Sequence, residues 1–162
     1  MDWWTDLDKW TADYLPDLRM ACDEPMSRHT SFRIGGPARR MAFPERGEQL
    51  VLLLDHAIAC GARPLVIGNG TNLLCPDAGL DRLVIDTSAG LNRVEAGDAP
   101  GELTAEAGAP LARLAAFPRR QGLPGLGFAH GIPGTGRRAG GLHAGAHRGP
   151  RGQAVPGPPA PP

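Results

Sequence analysis

A helical stretch set between two short apolar strands constrains the fold of this chain more than any other feature. Residues 40–43 read as a strand stopped by Pro44. Residues 45–59 place Leu50, Leu53, Leu54, Ala57 and Ile58 on one helical face, with Glu45 and Glu48 in the first turn and Gly61 as a stop. The run Pro64-Leu65-Val66-Ile67 lacks polar alternation, which predicts a strand covered on both faces. Strand, helix, strand in this order predicts a β-α-β unit, and with it an α/β (α+β) fold.

Weaker signals flank this unit. Trp3, Leu7, Trp10 and Tyr14 recur at spacings of three and four, predicting an amphipathic helix that stops before Pro16. Residues 18–22 suit a short strand, and residues 25–30 a polar connection. Phe32-Arg33-Ile34 alternates and runs into Gly35-Gly36-Pro37, the pattern of a strand ending in a tight turn. Leu83-Val84-Ile85 predicts a further apolar strand, while residues 91–96 and 102–106 alternate weakly. Pro110 sits where it can open a helix over residues 111–117, and Pro118 is expected to end or kink it.

Composition divides the chain. Its 162 residues suffice for one core of moderate size. Gly and Pro make up 13 of the 27 residues from 136 to 162, against 27 of the 135 before them, so the globular part is expected before residue 136. Charge divides similarly: residues 1–106 carry a net of −7, and residues 107–162 carry seven Arg and no acid. Sixteen of the 17 basic residues are Arg, as GC-rich coding tends to produce, so the basic end is read as compositional and no nucleic-acid partner is expected. No run of about 18 apolar residues occurs, and the acidic first ten residues do not resemble a signal peptide, so a cytoplasmic protein without membrane contact is expected. Cys22, Cys60 and Cys75 match no metal or CxxC spacing and are expected to be reduced thiols.

Chemistry is sought in the loops. Gly68-Asn69-Gly70-Thr71-Asn72-Leu73 leaves the predicted strand at Ile67 and turns on two glycines that allow close backbone approach. Successive amides in such a turn form an anion-binding nest, and Thr71 and Asn72 add side-chain donors. The loop is neither a Walker A sequence nor a full GxGxxG, because Leu73 stands where the third glycine would be. Arg33-Ile34-Gly35-Gly36 and Gly131-Ile132-Pro133-Gly134-Thr135 offer further backbone donors beside small residues, and three such loops around one sheet could surround a large phosphorylated cofactor.

The sequence His29-Thr30-Ser31-Phe32-Arg33-Ile34-Gly35-Gly36-Pro37-Ala38, then residues 68–74, then residues 131–135, resembles in order and spacing the N-terminal half of the UDP-N-acetylenolpyruvoylglucosamine reductase family. The resemblance covers about residues 20–135. It implies a vanillyl-alcohol-oxidase (PCMH) type FAD-binding domain over residues 20–135, preceded by an amphipathic helix at 1–19 and followed by a tail at 136–162 that is disordered or mis-framed. It also implies FAD as cofactor, with residues 68–72 around the pyrophosphate and residues 131–135 against the phosphates and the flavin side. NADPH would be the reductant, and a UDP-sugar would be the substrate only in a full-length enzyme. A monomer is expected.

Beyond Thr135 the resemblance weakens. The family continues with a Val-Gly-Gly-Ala type turn, whereas Gly136-Arg137-Arg138 stands here and only Ala144-Gly145-Ala146 matches in register. Genuine divergence and a shifted reading frame both account for this, since one inserted G turns GTC-GGC-GGG into GGT-CGG-CGG. Gly127 also stands where the family usually has Glu. The family's substrate domain and its proton-donating residues lie further along, so no catalytic residue is assigned and the chain is expected to be an inactive cofactor-binding portion. The alternative is a stand-alone or degenerate flavin-binding module. His29, His56, His130, His143 and His147 are scattered, Asp77 and Asp81 flank a turn, and no metal site is expected.

Overall fold

The computed structural model describes residues 2–96 and 103–120, with side chains to residue 117. The expected loop at 131–135 and the tail at 136–162 lie outside these residues, as do His130, His143 and His147. The order of elements is α1 (Trp3–Tyr14), β1 (Arg19–Pro25), a 3-10 turn (Met26–Arg28), β2 (Pro37–Phe43), α2 (Gly47–Ala59), β3 (Leu65–Ile67), β4 (Leu80–Asp86), β5 (Val94–Ala96), β6 (Leu103–Ala105) and α3 (Leu111–Arg120). Four strands form one sheet in the order β1-β2-β4-β3, and β5 pairs with β6 in a second. β1 is antiparallel to β2, while β2, β4 and β3 run parallel.

The strand-helix-strand unit is β2-α2-β3, with β4 inserted between its two strands. Side chains alternate across the sheet as the pleat requires. Ala42, Leu83 and Ile85 face α1 and α2, where they pack with Leu7, Leu53 and Ala57. Met41, Phe43, Val84 and Ile67 face the other way and pack with Met26 and Cys75. Each face therefore has its own apolar core, and the N-terminal helix contributes to the first. Arg40 fastens α1 further: its Nε donates to Asp8 Oδ1 at 2.8 Å and its Nη2 to Asp8 Oδ2 at 2.7 Å. This bidentate pair holds the guanidinium above its ordinary value.

Local chemistry sets the ends of α2. The Gln49 side-chain oxygen accepts from the amides of Glu45 and Arg46, satisfying donors at the helix start. At the far end Ala62 donates to Ala57 O and Gly61 to Ile58 O, the paired bonds of a Schellman motif. That motif needs a left-handed residue, and Gly61 has φ +80°.

Three expectations need correction. Phe32-Arg33-Ile34 is a loop, because Arg33 has φ +54° and its amide donates to Thr30 O, a local turn that removes it from any ladder. Ile58 is 67% exposed and lies off the buried face of α2, which Gln49, Leu53 and Ala57 supply. α3 continues past Pro118 to Arg120: with no amide at that position the ring costs one bond to the carbonyl four residues earlier, and so near the end the helix does not break.

Leu53 is fully buried between α2 and the sheet, whereas Val51 is 58% exposed on the same helix. Leu53→Ala is expected to lower stability by about 2–5 kcal/mol. Val51→Ala should stay within about 0.5 kcal/mol, and urea denaturation followed by circular dichroism measures both.

Candidate functional site

A cleft of about 530 Å³ opens where β3 and β4 end, lined by Arg28, His29, Thr30, Ser31, Arg33, Gly68, Asn69, Asp86 and Ser88. In sheets of this kind ligands bind outside the carboxyl ends of the strands. Gly68 and Asn69 continue from β3, Asp86 closes β4, and the segment 28–33 crosses in front of both. Thr87, fully buried, holds the two strand ends together: its amide and its hydroxyl both donate to Ile67 O, at 3.0 and 2.9 Å.

The loop after β3 is pressed against the segment that carries His29. Ser31 donates its amide to Gly70 O at 3.2 Å. Gly70 has φ +57°, and a Cβ there would overlap the His29 carbonyl oxygen, so both conformation and contact demand glycine. The amides of Asn69, Gly70, Thr71 and Asn72 make no hydrogen bond to a protein acceptor among the described residues. Of this loop Gly68 and Asn69 line the cleft with Arg28 and Arg33, while Gly70, Thr71 and Asn72 follow outside its lining. Arg28 makes only a long contact to Glu24, 3.6 Å, with its side chain 71% exposed, and Arg33 makes no ion pair among the described residues.

Not every glycine expected at the site reaches the cleft. Gly35 and Gly36 instead contact the loop that returns from β3 to β4: a Cβ on Gly36 would overlap the Asp77 carbonyl, and the Gly36 amide donates to Pro76 O at 2.9 Å. Ile34 is outside the cleft lining too, and its carbonyl accepts from the Thr30 hydroxyl at 3.1 Å. Leu73 packs against the second core beside buried Cys75, whose thiol burial pushes above its usual range. Of the two glycines at 68 and 70, only Gly70 takes a positive φ. Asp77 and Asp81 stay at the surface, and Asp81 pairs with Arg39 at 3.2 Å.

Sequence reasoning missed the acid–histidine chain along the cleft. His29 Nδ1 lies 3.2 Å from Asp86 Oδ2, and its Nε2 lies 3.1 Å from Glu24 Oε1. Asp86 Oδ1 accepts from the Ser88 amide at 2.9 Å and from the Ser88 hydroxyl at 2.6 Å. His29 and Asp86 are 57 residues apart, and no local spacing signals their pairing.

The sequence matches the family described as "FAD binding domain" over residues 38–154, a span that runs past Thr135. It is 42% identical over 151 residues to UDP-N-acetylenolpyruvoylglucosamine reductase of Agathobacter rectalis, covering 87% of this chain and 48% of that protein. It is 45% identical over 128 residues to the protein of that name from Pelobacter propionicus, covering 79% and 43%. The chain thus spans about half the length of the curated relatives it matches. Its fold resembles the flavoenzyme CrmK of caerulomycin biosynthesis with a TM-score of 0.53 at 19% identity, over 64% of this chain and 22% of that one.

Gly70→Ala combines a strained φ with a backbone overlap, so a loss of about 1–3 kcal/mol is expected. Asn72→Ala on the same loop, with an exposed side chain, should be nearly neutral, and thermal unfolding of both variants measures the difference.

Proposed function

The chain belongs to the FAD binding domain family, and we propose that it forms the FAD-binding portion of a UDP-N-acetylenolpyruvoylglucosamine reductase. The run of unspent amides from Asn69 to Asn72 at the end of β3 carries this reading. A pyrophosphate needs several short donors and a positive surrounding, and the Asn69–Asn72 amides, the Ser31 hydroxyl, Arg28 and Arg33 would supply both. Asp86 would repel a phosphate if left bare, but its Oδ1 accepts from the Ser88 amide and hydroxyl and its Oδ2 lies 3.2 Å from the His29 ring. The donor set therefore fits a phosphorylated cofactor.

In this reading Asn69, Gly70, Thr71 and Asn72 hold the pyrophosphate through the backbone, and Arg33 adds charge from the facing loop. Gly131, Ile132, Pro133, Gly134 and Thr135 take the part the family resemblance gives them, against the phosphates and the flavin side. FAD, when bound, would relay a hydride from NADPH to the enolpyruvyl double bond of a UDP-N-acetylglucosamine derivative in peptidoglycan synthesis. The protein's own task is to place the cofactor and shield it from water. No residue of the cleft receives a proton-donating role, so this chain alone is expected to hold FAD without reducing the UDP-sugar. Its setting would be the cytoplasm, as a monomer.

Titrating the 162-residue chain with FAD, followed by flavin fluorescence, tests the proposal. Saturable one-to-one binding is expected. Arg33→Ala should weaken it by about 10- to 100-fold, as loss of a charge-assisted contact worth about 1.5–3 kcal/mol predicts. Absence of saturable binding, or binding indifferent to Arg33, would overturn the assignment.

A further inference from the structure

On the helical face of the sheet, Asp6 of α1 and His56 and Cys60 of α2 bring a carboxylate oxygen, an imidazole nitrogen and a sulfur within 4.8 Å of one another. His56 and Cys60 are one helical turn apart and so share a face of α2. His56 Nε2 lies 3.2 Å from Asp6 Oδ2, but the contact is not aligned as a hydrogen bond, and Nε2 is buried without a hydrogen-bond partner. A buried imidazole nitrogen left unbonded is costly. Trp10 lies flat against the imidazole, with centroids 4.3 Å apart and planes 6° apart, and this stacking fixes the plane of the ring.

The spacing suits a cation. Bonds of about 2.0–2.1 Å to nitrogen and oxygen place two tetrahedral ligands about 3.3 Å from each other. The observed 3.2 Å between Nε2 and Oδ2 is close to that value. One nitrogen, one oxygen and one sulfur form the donor set of a borderline-soft ion and do not suit magnesium or calcium, which take oxygen. Binding a cation through Cys60 releases the thiol proton to solvent. Asp6 is half-exposed and provides a way in.

We propose that Asp6, His56 and Cys60 bind a divalent transition-metal ion of the zinc class at the junction of α1 and α2, with the fourth position left to water. The ion would fasten the N-terminal helix to α2 on the far side of the sheet from the cleft.

Cobalt(II) titrated into the full 162-residue chain tests this, because cobalt reports tetrahedral thiolate ligation by its visible and near-ultraviolet bands. One equivalent bound with a thiolate charge-transfer band is expected, lost in Cys60→Ser and kept in Cys22→Ser. His56→Gln should weaken binding by about 100-fold or more, the upper end of what losing even an indirect supporting group costs. Should Cys60→Ser fail to fold, alkylation of Cys60 in the unaltered chain, read by peptide mass spectrometry, tests the same ligand, and zinc is expected to protect it. No thiolate band, a band that survives Cys60→Ser or follows Cys22, or alkylation of Cys60 unaffected by zinc would each overturn the proposal.

Discussion

β4 is the element on which the rest of the structure depends. It pairs with β2 on one side and β3 on the other, and Leu83, Val84 and Ile85 are fully buried within it. Leu83 and Ile85 feed the core under the two helices, and Val84 feeds the core on the opposite face. Without β4 the β2-α2-β3 unit would have two strands with no hydrogen-bonding partner between them. The cleft depends on it equally, because Thr87 fixes Ile67 in place and the loop after β3 leaves from that point.

The link from β3 to β4 joins two adjacent parallel strands without a helix. Parallel neighbours need a connection that returns the chain to the other end of the sheet. Here residues 68–79 make the return, and Leu73 and Cys75 cover the second core on the way. One segment thus performs two tasks: its first half lines the cleft or adjoins it, and its second half replaces the layer a helix would supply. The close contact of Gly36 with Asp77 and Gly79 belongs to the second task.

The parts of the fold legible in the sequence are those governed by periodicity. Leu7 of α1, Leu53 and Ala57 of α2, Ile67 of β3 and Leu83, Val84 and Ile85 of β4 are buried as their spacing selects. Tyr14 and Ile58 of the same helical stripes are exposed, and Leu65 and Val66, on the edge strand, are half-buried. Phe32-Arg33-Ile34 misled because alternation over three residues is weak evidence beside a turn closed by Thr30. The glycine loop at 68–72 was legible as a turn leaving β3, with Gly70 at positive φ as its composition suggested. The Glu24–His29–Asp86 chain and the Asp6–His56–Cys60 cluster were not legible. Each joins residues from elements distant in sequence, and only the packing of those elements brings them within reach.

Charge in the cleft has a consequence for how it can serve an anion. Arg28 and Arg33 contribute two positive charges at its rim, while Glu24 and Asp86 set two negative charges against them. Were the carboxylates free, the field at the amides of Asn69–Asn72 would be close to balanced and a pyrophosphate would gain little. The His29 ring lies within hydrogen-bond distance of both acids, and the Ser88 amide and hydroxyl donate to the second oxygen of Asp86. The ring also lies against Phe43, centroids 5.6 Å apart, so it is anchored to β2 as well. The groups that can meet a ligand directly are the arginines, the Ser31 hydroxyl and the backbone of the loop.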